Sequence, residues 1–213
     1  VLILGSGTLG LRIGLQSALS GFETVIYDIH EKAFASAIRI QDSILAQLTE
    51  RQIISVSQAE MAKNLISFTL DAEEAARNCD FVSESVLEEL SVKKEVWSKF
   101  AGLCPPQTVF TTNPSYLLPS MFAVETGRPG RFCAFHFHDV FQANVVDIMP
   151  HAGTEPWVAD LLMELGKKLK QTPVFVKKES PGYIFNAMLM ALIGAAGALV
   201  TYDVASVEDV DRS

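Results

Sequence analysis

Cysteine is scarce in this chain: its 213 residues hold three, Cys79, Cys104 and Cys133, odd in number, far apart and without CxxC or any other metal-ligand spacing. This argues against a disulfide scaffold or a zinc module and reads as reduced core thiols of a cytoplasmic protein. Basic charge is also short, with 17 Lys and Arg against 25 Asp and Glu, a formal net charge of −8 and no basic run. A nucleic-acid partner is therefore not expected. No apolar run is long enough to span a bilayer: the most apolar stretch, residues 187–200, is bracketed by Asn186 and by Tyr202 and Asp203. It reads as a buried helix, and no membrane association is expected. There is no signal-peptide pattern, no repeat and no low-complexity tract. Val1 falls in mid-strand and Ser213 inside a charged helix starting near Ser206, so further residues are expected at both ends. With 49% hydrophobic residues, the chain can bury the core of one large domain with a small appendage.

Glycine is placed rather than abundant. Residues 1–4 (VLIL) form a buried-strand pattern that runs directly into Gly5-Ser6-Gly7-Thr8-Leu9-Gly10, a GxGxxG loop. Gly5 permits the tight turn, Gly7 lets a pyrophosphate approach the backbone, and Gly10 brings the following helix close to the sheet. Gly5, Gly7, Thr8, Leu9 and Gly10 are the expected phosphate cradle, with the anion at the helix N-terminus. A helix over about 8–20 ends at Gly21, and a second strand, residues 24–27, ends in Asp28, eighteen residues after Gly10. An acid there suits the adenosine ribose hydroxyls and repels a 2′-phosphate, which favours NAD over NADP. Alone the glycine motif is weak; in the order strand, loop, helix, strand and acid it is specific.

Residues 31 to about 63 have helical composition with a break near 53–57. Strand patterns follow at 65–68, 80–83 and 108–111, with helices at 71–77, where Asp71 can cap, and 90–102. Further strands are expected at 132–138, 145–149 and 173–176, and a helix capped by Thr154 at 154–170. The expected fold is α/β, a Rossmann-type doubly wound, mostly parallel sheet with a helical insertion, followed by the start of an all-helical segment. The boundary falls at residues 177–181, giving domains 1–178 and 179–213.

Four positions outside the glycine loop carry candidate chemistry. Ser115 follows a strand's C-terminal end, the edge where open α/β sheets bind ligands, although Asn-Pro-Ser is also ordinary turn chemistry. His136 and His138 share one face of an apolar strand, so one can act as a base while the other packs or hydrogen-bonds. Asp147, on the next strand, can bond a ring nitrogen, fix the tautomer and stabilise an imidazolium. Asn186 stands at the entry to the last long helix, where a capping role is the plain alternative. His30 and His151 read as loop residues without a catalytic role.

Taken with Ser85-Val86-Leu87-Glu88-Glu89-Leu90, residues 113–117, the histidine strand and Pro181-Gly182-Tyr183-Ile184-Phe185-Asn186, the chain resembles the NAD-dependent 3-hydroxyacyl-CoA dehydrogenase family, including its lambda-crystallin and L-gulonate 3-dehydrogenase relatives. The resemblance implies an enzyme, an oxidoreductase of the kind used in fatty acid metabolism, that interconverts an L-3-hydroxyacyl-CoA and a 3-oxoacyl-CoA by hydride transfer. It implies His136 as general base, Asp147 orienting it, and Ser115 and Asn186 bonding the substrate. The Ser115-to-His136 spacing selects His136, leaving packing as the reading for His138. Glu88 and Lys93 are implied near the nicotinamide ribose and Asn113 near the ring end of the cofactor. The chain also departs from the family pattern. Asp147 stands for a glutamate one residue further on, Asp139 for an asparagine, and His138 for a common aromatic. The insertion resembles a CoA-facing hairpin but mixes Lys32, Arg39, Arg51 and Lys63 with Glu31, Asp42, Glu50 and Glu60. A free hydroxy acid such as L-gulonate or a carnitine-like substrate, or a non-catalytic NAD(H)-binding role, stays open. The small residues around Gly194 and Gly197 lie where the family dimerises, so a homodimer is expected.

Overall fold

The computed structural model describes residues 1–213 as an eight-stranded sheet flanked by helices. Strand β1 (Leu2–Leu4) leads through the glycine loop into α1 (Thr8–Leu19) and back to β2 (Thr24–Tyr27). The insertion is a helical pair, α2 (Glu31–Glu50) and α3 (Val56–Asn64). A capping box starts α3: the Ser55 hydroxyl accepts from Gln58 N–H, and the Gln58 side chain accepts from Ser55 N–H. Then come β3 (Ile66–Thr69), α4 (Ala72–Ala76), β4 (Phe81–Glu84), α5 (Leu90–Leu103) and β5 (Val109–Thr112). Asp71 caps α4 as expected, accepting from Glu73 and Glu74 N–H.

The remaining elements are β6 (Phe132–Phe137), β7 (Val145–Met149), α6 (Pro156–Lys168), β8 (Thr172–Phe175), α7 (Phe185–Thr201) and α8 (Val207–Arg212). The strand order is β3-β2-β1-β4-β5-β6-β7-β8, and only β6 and β7 pair antiparallel. Their link is too short for a parallel crossover. Asp139 organises that link, accepting from Phe141 and Gln142 N–H, while its other oxygen receives Arg12 from α1 at 2.7 Å.

Alternate residues of each strand enter two cores, as a sheet covered on both faces requires. Leu2, Leu4, Val82, Phe110 and Phe132 pack against Trp97 and Phe100 of α5 and the alanines of α4. Ile3, Ile26, Phe135, Phe137, Val146 and Ile148 pack against Ile13 of α1 and Val158 and Leu162 of α6. No helix is long and apolar enough to cross a membrane.

Two expectations are corrected. Thr154 does not cap α6; the N-cap is Glu155, and the Thr154 hydroxyl instead donates to the Phe132 carbonyl and accepts from His151 N–H. Its oxygen is used to tie the turn to β6. The helix expected to be buried, α7, has no buried residue, and Met188, Met190, Leu192 and Ile193 are exposed. Its composition is that of a core helix, but no element within residues 1–213 covers its apolar surface.

Candidate active site

The sheet's C-terminal edge brings the glycine loop, Asp28 and the loop after β4 together around a cavity of about 550 Å³ at the point where strand order reverses. Its lining includes Gly5, Gly7, Asp28, Val86, Leu87 and Val92. Gly5 has φ +97°, and a Cβ there would meet the Ser85 carbonyl oxygen at 2.8 Å. A Cβ on Gly10 would lie 2.0 Å from the Gly5 carbonyl oxygen, whereas one on Gly7 would meet nothing within 4 Å. Gly5 and Gly10 are thus required by the fold, and Gly7 keeps open the space over the N-terminus of α1 that a pyrophosphate needs. Asp28 accepts from Ser6 N–H at 2.8 Å, from the Ser6 hydroxyl at 2.7 Å and from His30 N–H at 3.0 Å. Burial pushes its carboxyl up, but these donors outweigh burial and hold it below the ordinary carboxylate value. An ionised acid facing apolar walls suits an adenosine with free ribose hydroxyls.

Beyond this cavity a buried frame fixes the site. Glu84, at the end of β4, accepts from Lys93 Nζ at 2.5 Å, the Thr112 hydroxyl at 2.5 Å and Val86 N–H at 2.8 Å. Lys93 and Glu84 side chains are 1% and 0% exposed, so one ion pair locks α5 to β4 and, through Thr112, to β5. Glu88 accepts from the backbone N–H groups of Ser115, Tyr116 and Leu117 at 2.8, 2.6 and 3.3 Å, clamping the loop that carries Ser115. Asn113 is buried, and its Oδ1 accepts from Phe137 N–H at 2.6 Å, which ties that loop to the histidine strand.

His136 and Asp147 are direct partners in the β6–β7 register. Both are buried, with His136 Nδ1 3.8 Å from Asp147 Oδ2. The Tyr183 ring lies flat on the imidazole, at a centroid separation of 4.3 Å and 10° between planes. Tyr183 is buried in a left-handed conformation, φ +52°, after Gly182, whose N–H donates to the Ser115 carbonyl at 3.1 Å. Asn186 is the second residue of α7, close behind. Burial lowers the His136 pKa below its ordinary value of 6.5, against the pull of Asp147. A neutral, desolvated imidazole beside an ionised aspartate can accept a proton and have the resulting charge stabilised.

The family model described as the NAD binding domain of 3-hydroxyacyl-CoA dehydrogenase matches residues 1–180. The chain belongs to the 3-hydroxyacyl-CoA dehydrogenase family. Among curated members, a lambda-crystallin homolog from Rattus norvegicus is 29% identical over 213 residues, covering 99% of this chain and 67% of that protein. A 3-hydroxybutyryl-CoA dehydrogenase from Clostridioides difficile is 28% identical, covering 99% of this chain and 75% of that protein. Among solved structures, a diketoreductase described as catalysing the conversion of dicarbonyl compounds superimposes with a TM-score of 0.92 at 32% identity, over 98% of this chain and 74% of that one.

The matching model is that of an NAD binding domain, so the cofactor is NAD, and the open cradle at Gly7, with the ionised Asp28 nearby, fits it. Ser115, His136, Asp147 and Asn186 fall on neighbouring segments, joined through the Gly182–Ser115 bond and the Tyr183 stack. Lys93 is brought only as far as Glu84, and Asn113 is already engaged by Phe137. One reading changes: His138 does more than pack, because its Nε2 lies 2.7 Å from Asp147 Oδ2. Three residues escaped the sequence reading. Ser6 orients Asp28, Glu84 anchors the frame, and Tyr183 covers His136. Glu84 had one available signal, an acid completing an apolar strand.

Proposed function

We propose that this protein interconverts an L-3-hydroxyacyl-CoA and the 3-oxoacyl-CoA with NAD, using His136 as general base and acid and Asp147 to orient it. The observation that carries this reading is the buried His136–Asp147 pair at the ligand-binding edge of a Rossmann sheet whose glycine loop fits the cofactor. Asp147 lies 3.8 Å from Nδ1, so its charge favours the Nδ1–H tautomer, which leaves the Nε2 lone pair for the substrate hydroxyl. In oxidation His136 Nε2 takes the hydroxyl proton as the C–H electron pair leaves C3 as hydride, forming the C3 carbonyl. In reduction the same imidazolium returns that proton to the oxygen. When bound, the nicotinamide supplies the hydride acceptor or donor. Ser115 and Asn186 hydrogen-bond the reacting oxygen, and Glu88 holds the Ser115 loop in place. On this reading Glu88, Lys93 and Asn113 line or support the nicotinamide half of the cofactor site.

A free hydroxy acid is the second reading, favoured by the likeness to the lambda-crystallin homolog and to the diketoreductase, whose description names dicarbonyl compounds. A cleft of about 430 Å³ between α1 and α2, lined by Arg12, Ser36, Arg39, Ser43 and Gln47, offers Arg39 to an anionic group of either substrate, Arg12 being held by Asp139. NADH oxidation followed with acetoacetyl-CoA, beside NAD reduction with L-gulonate and carnitine, separates the readings. Turnover with the CoA ester supports the first, and turnover with the free acids alone supports the second. NADH binding without turnover on any of them leaves a non-catalytic binding protein.

The family match ends at residue 180, close to the proposed division into a cofactor domain, 1–178, and a helical segment, 179–213. We propose that the helical segment makes a homodimer through the apolar surface of α7, and that the protein works in the cytoplasm, where its three buried free thiols stay reduced.

A further inference from the structure

We propose that His138 is a positioning residue for this chemistry: it holds Asp147 and so sets how much of that carboxylate's charge reaches His136. The proposal rests on the His136 reading above. His136 and His138 project from the same face of β6, two residues apart, toward the β7 residue that pairs with His136. Both approach a single oxygen, Asp147 Oδ2, with His138 Nε2 at 2.7 Å and His136 Nδ1 at 3.8 Å. The nearer ring owns the hydrogen bond. His136 Nδ1 is buried without a partner within bonding distance, a costly state for a nitrogen that must carry a proton.

The surroundings keep this arrangement in place. The two imidazoles meet edge to face, 4.8 Å between centroids and 86° between planes. Tyr183 covers His136, and Phe185 presents an edge to His138 at 5.1 Å, so two aromatics of one short segment hold the two rings. Asp147 is almost fully buried and one methylene shorter than a glutamate, so it cannot serve both rings at full contact without moving. The charged and titratable groups facing the pair are Asp147 from β7, Glu88 from the loop after β4 and Tyr183 from the segment before α7.

The consequence is competition. While His138 donates to Oδ2, Asp147 stabilises an imidazolium at His136 from 3.8 Å rather than through a full hydrogen bond. The base is thereby kept weak and its proton mobile. If His138 itself is protonated, a second positive charge on the adjoining ring is opposed, as burial strengthens repulsion between like charges.

The test is the pH dependence of kcat/KM for oxidation, joined to nitrogen-15 NMR of the histidine rings in the full chain with NADH. In H138F the competitor is gone and Asp147 turns to His136. The acid limb and the His136 titration should both move up by about one pH unit, the lower end of the effect of an adjacent opposite charge. H138Q supplies a neutral amide N–H to the same oxygen and should bring both back toward the unsubstituted protein. Identical midpoints in H138F and the unsubstituted protein would overturn the proposal. If H138F does not fold, the unsubstituted protein still decides: His138 must carry its proton on Nε2 at neutral pH, and its nitrogens must respond when His136 titrates. A bare His138 Nε2 sinks the idea. The NMR result stands whether or not any substrate turns over, so failure here is distinguishable from failure of the proposed activity.

Discussion

At the residue scale, the glycine loop separates what the fold needs from what the cofactor needs. G10A would push a methyl group onto the Gly5 carbonyl oxygen, so it should destabilise the protein by about 1–3 kcal/mol, the usual range for overpacking. G7A adds a methyl group where nothing lies within 4 Å, at φ −64°, so thermal unfolding should be unchanged. NADH affinity, measured by calorimetry, should nonetheless fall at least about tenfold, since a loss of 1.4 kcal/mol suffices. His136 allows a second prediction. Its lowered pKa keeps the imidazole neutral to lower pH, so the acid limb of kcat/KM for oxidation should have its midpoint below 6.5, and activity should fall only as pH drops through it. A midpoint above 6.5 would mean that Asp147 outweighs burial. The turn at Gly5, the close approach at Gly10 and the place of Asp28 after β2 were legible in the sequence because the order strand, loop, helix, strand and acid specifies that geometry. The partner of Asp147 was not: a period of two places both histidines on one face, but a difference of about 1 Å in reach decides which one bonds the acid.

At the element scale, the decisive device is the Glu84–Lys93 pair, which joins β4, β5 and α5 behind the site. Sequence could not single out Glu84 from Glu88 and Glu89, because burial depends on where the strand ends and the loop begins. Sequence did give the order of strands and helices, whose periodicities are local. It missed the Thr154 detail because a tertiary bond to the Phe132 carbonyl claims the hydroxyl that a cap would use. K93M should cost about 3–5 kcal/mol in denaturant unfolding, because Glu84 is left charged in a dry site. The paired change E84Q/K93M should recover most of that loss. Equal instability in both variants would mean that packing of the lysine stem, rather than the charge, holds α5.

At the scale of the whole molecule, the imbalance lies in α7. The sheet and its flanking helices form two closed cores, yet Phe185, Met188, Met190, Leu192 and Ile193 stand in solvent on a helix with no buried residue. The sequence signalled a buried helix because composition records where a segment ends up in its working assembly, and an intrachain partner is only one way to reach burial. A surface this apolar is rarely left in solvent, and a second copy of the chain can cover it. Burying one such side chain contributes about 1.5–3 kcal/mol, so a few of them, duplicated by two-fold symmetry, are enough to support association. Light scattering at micromolar concentration should therefore report a dimer. L192E, at a position 67% exposed, should shift that equilibrium toward monomer without lowering the stability of the cofactor domain. Because Tyr183 and Phe185 enter the helix directly from the histidine site, the monomeric variant should also lose order in the rings over His136 and His138, read as broadened aromatic resonances. A protein that is already monomeric would remove the proposed dimer and leave α7 to a different partner.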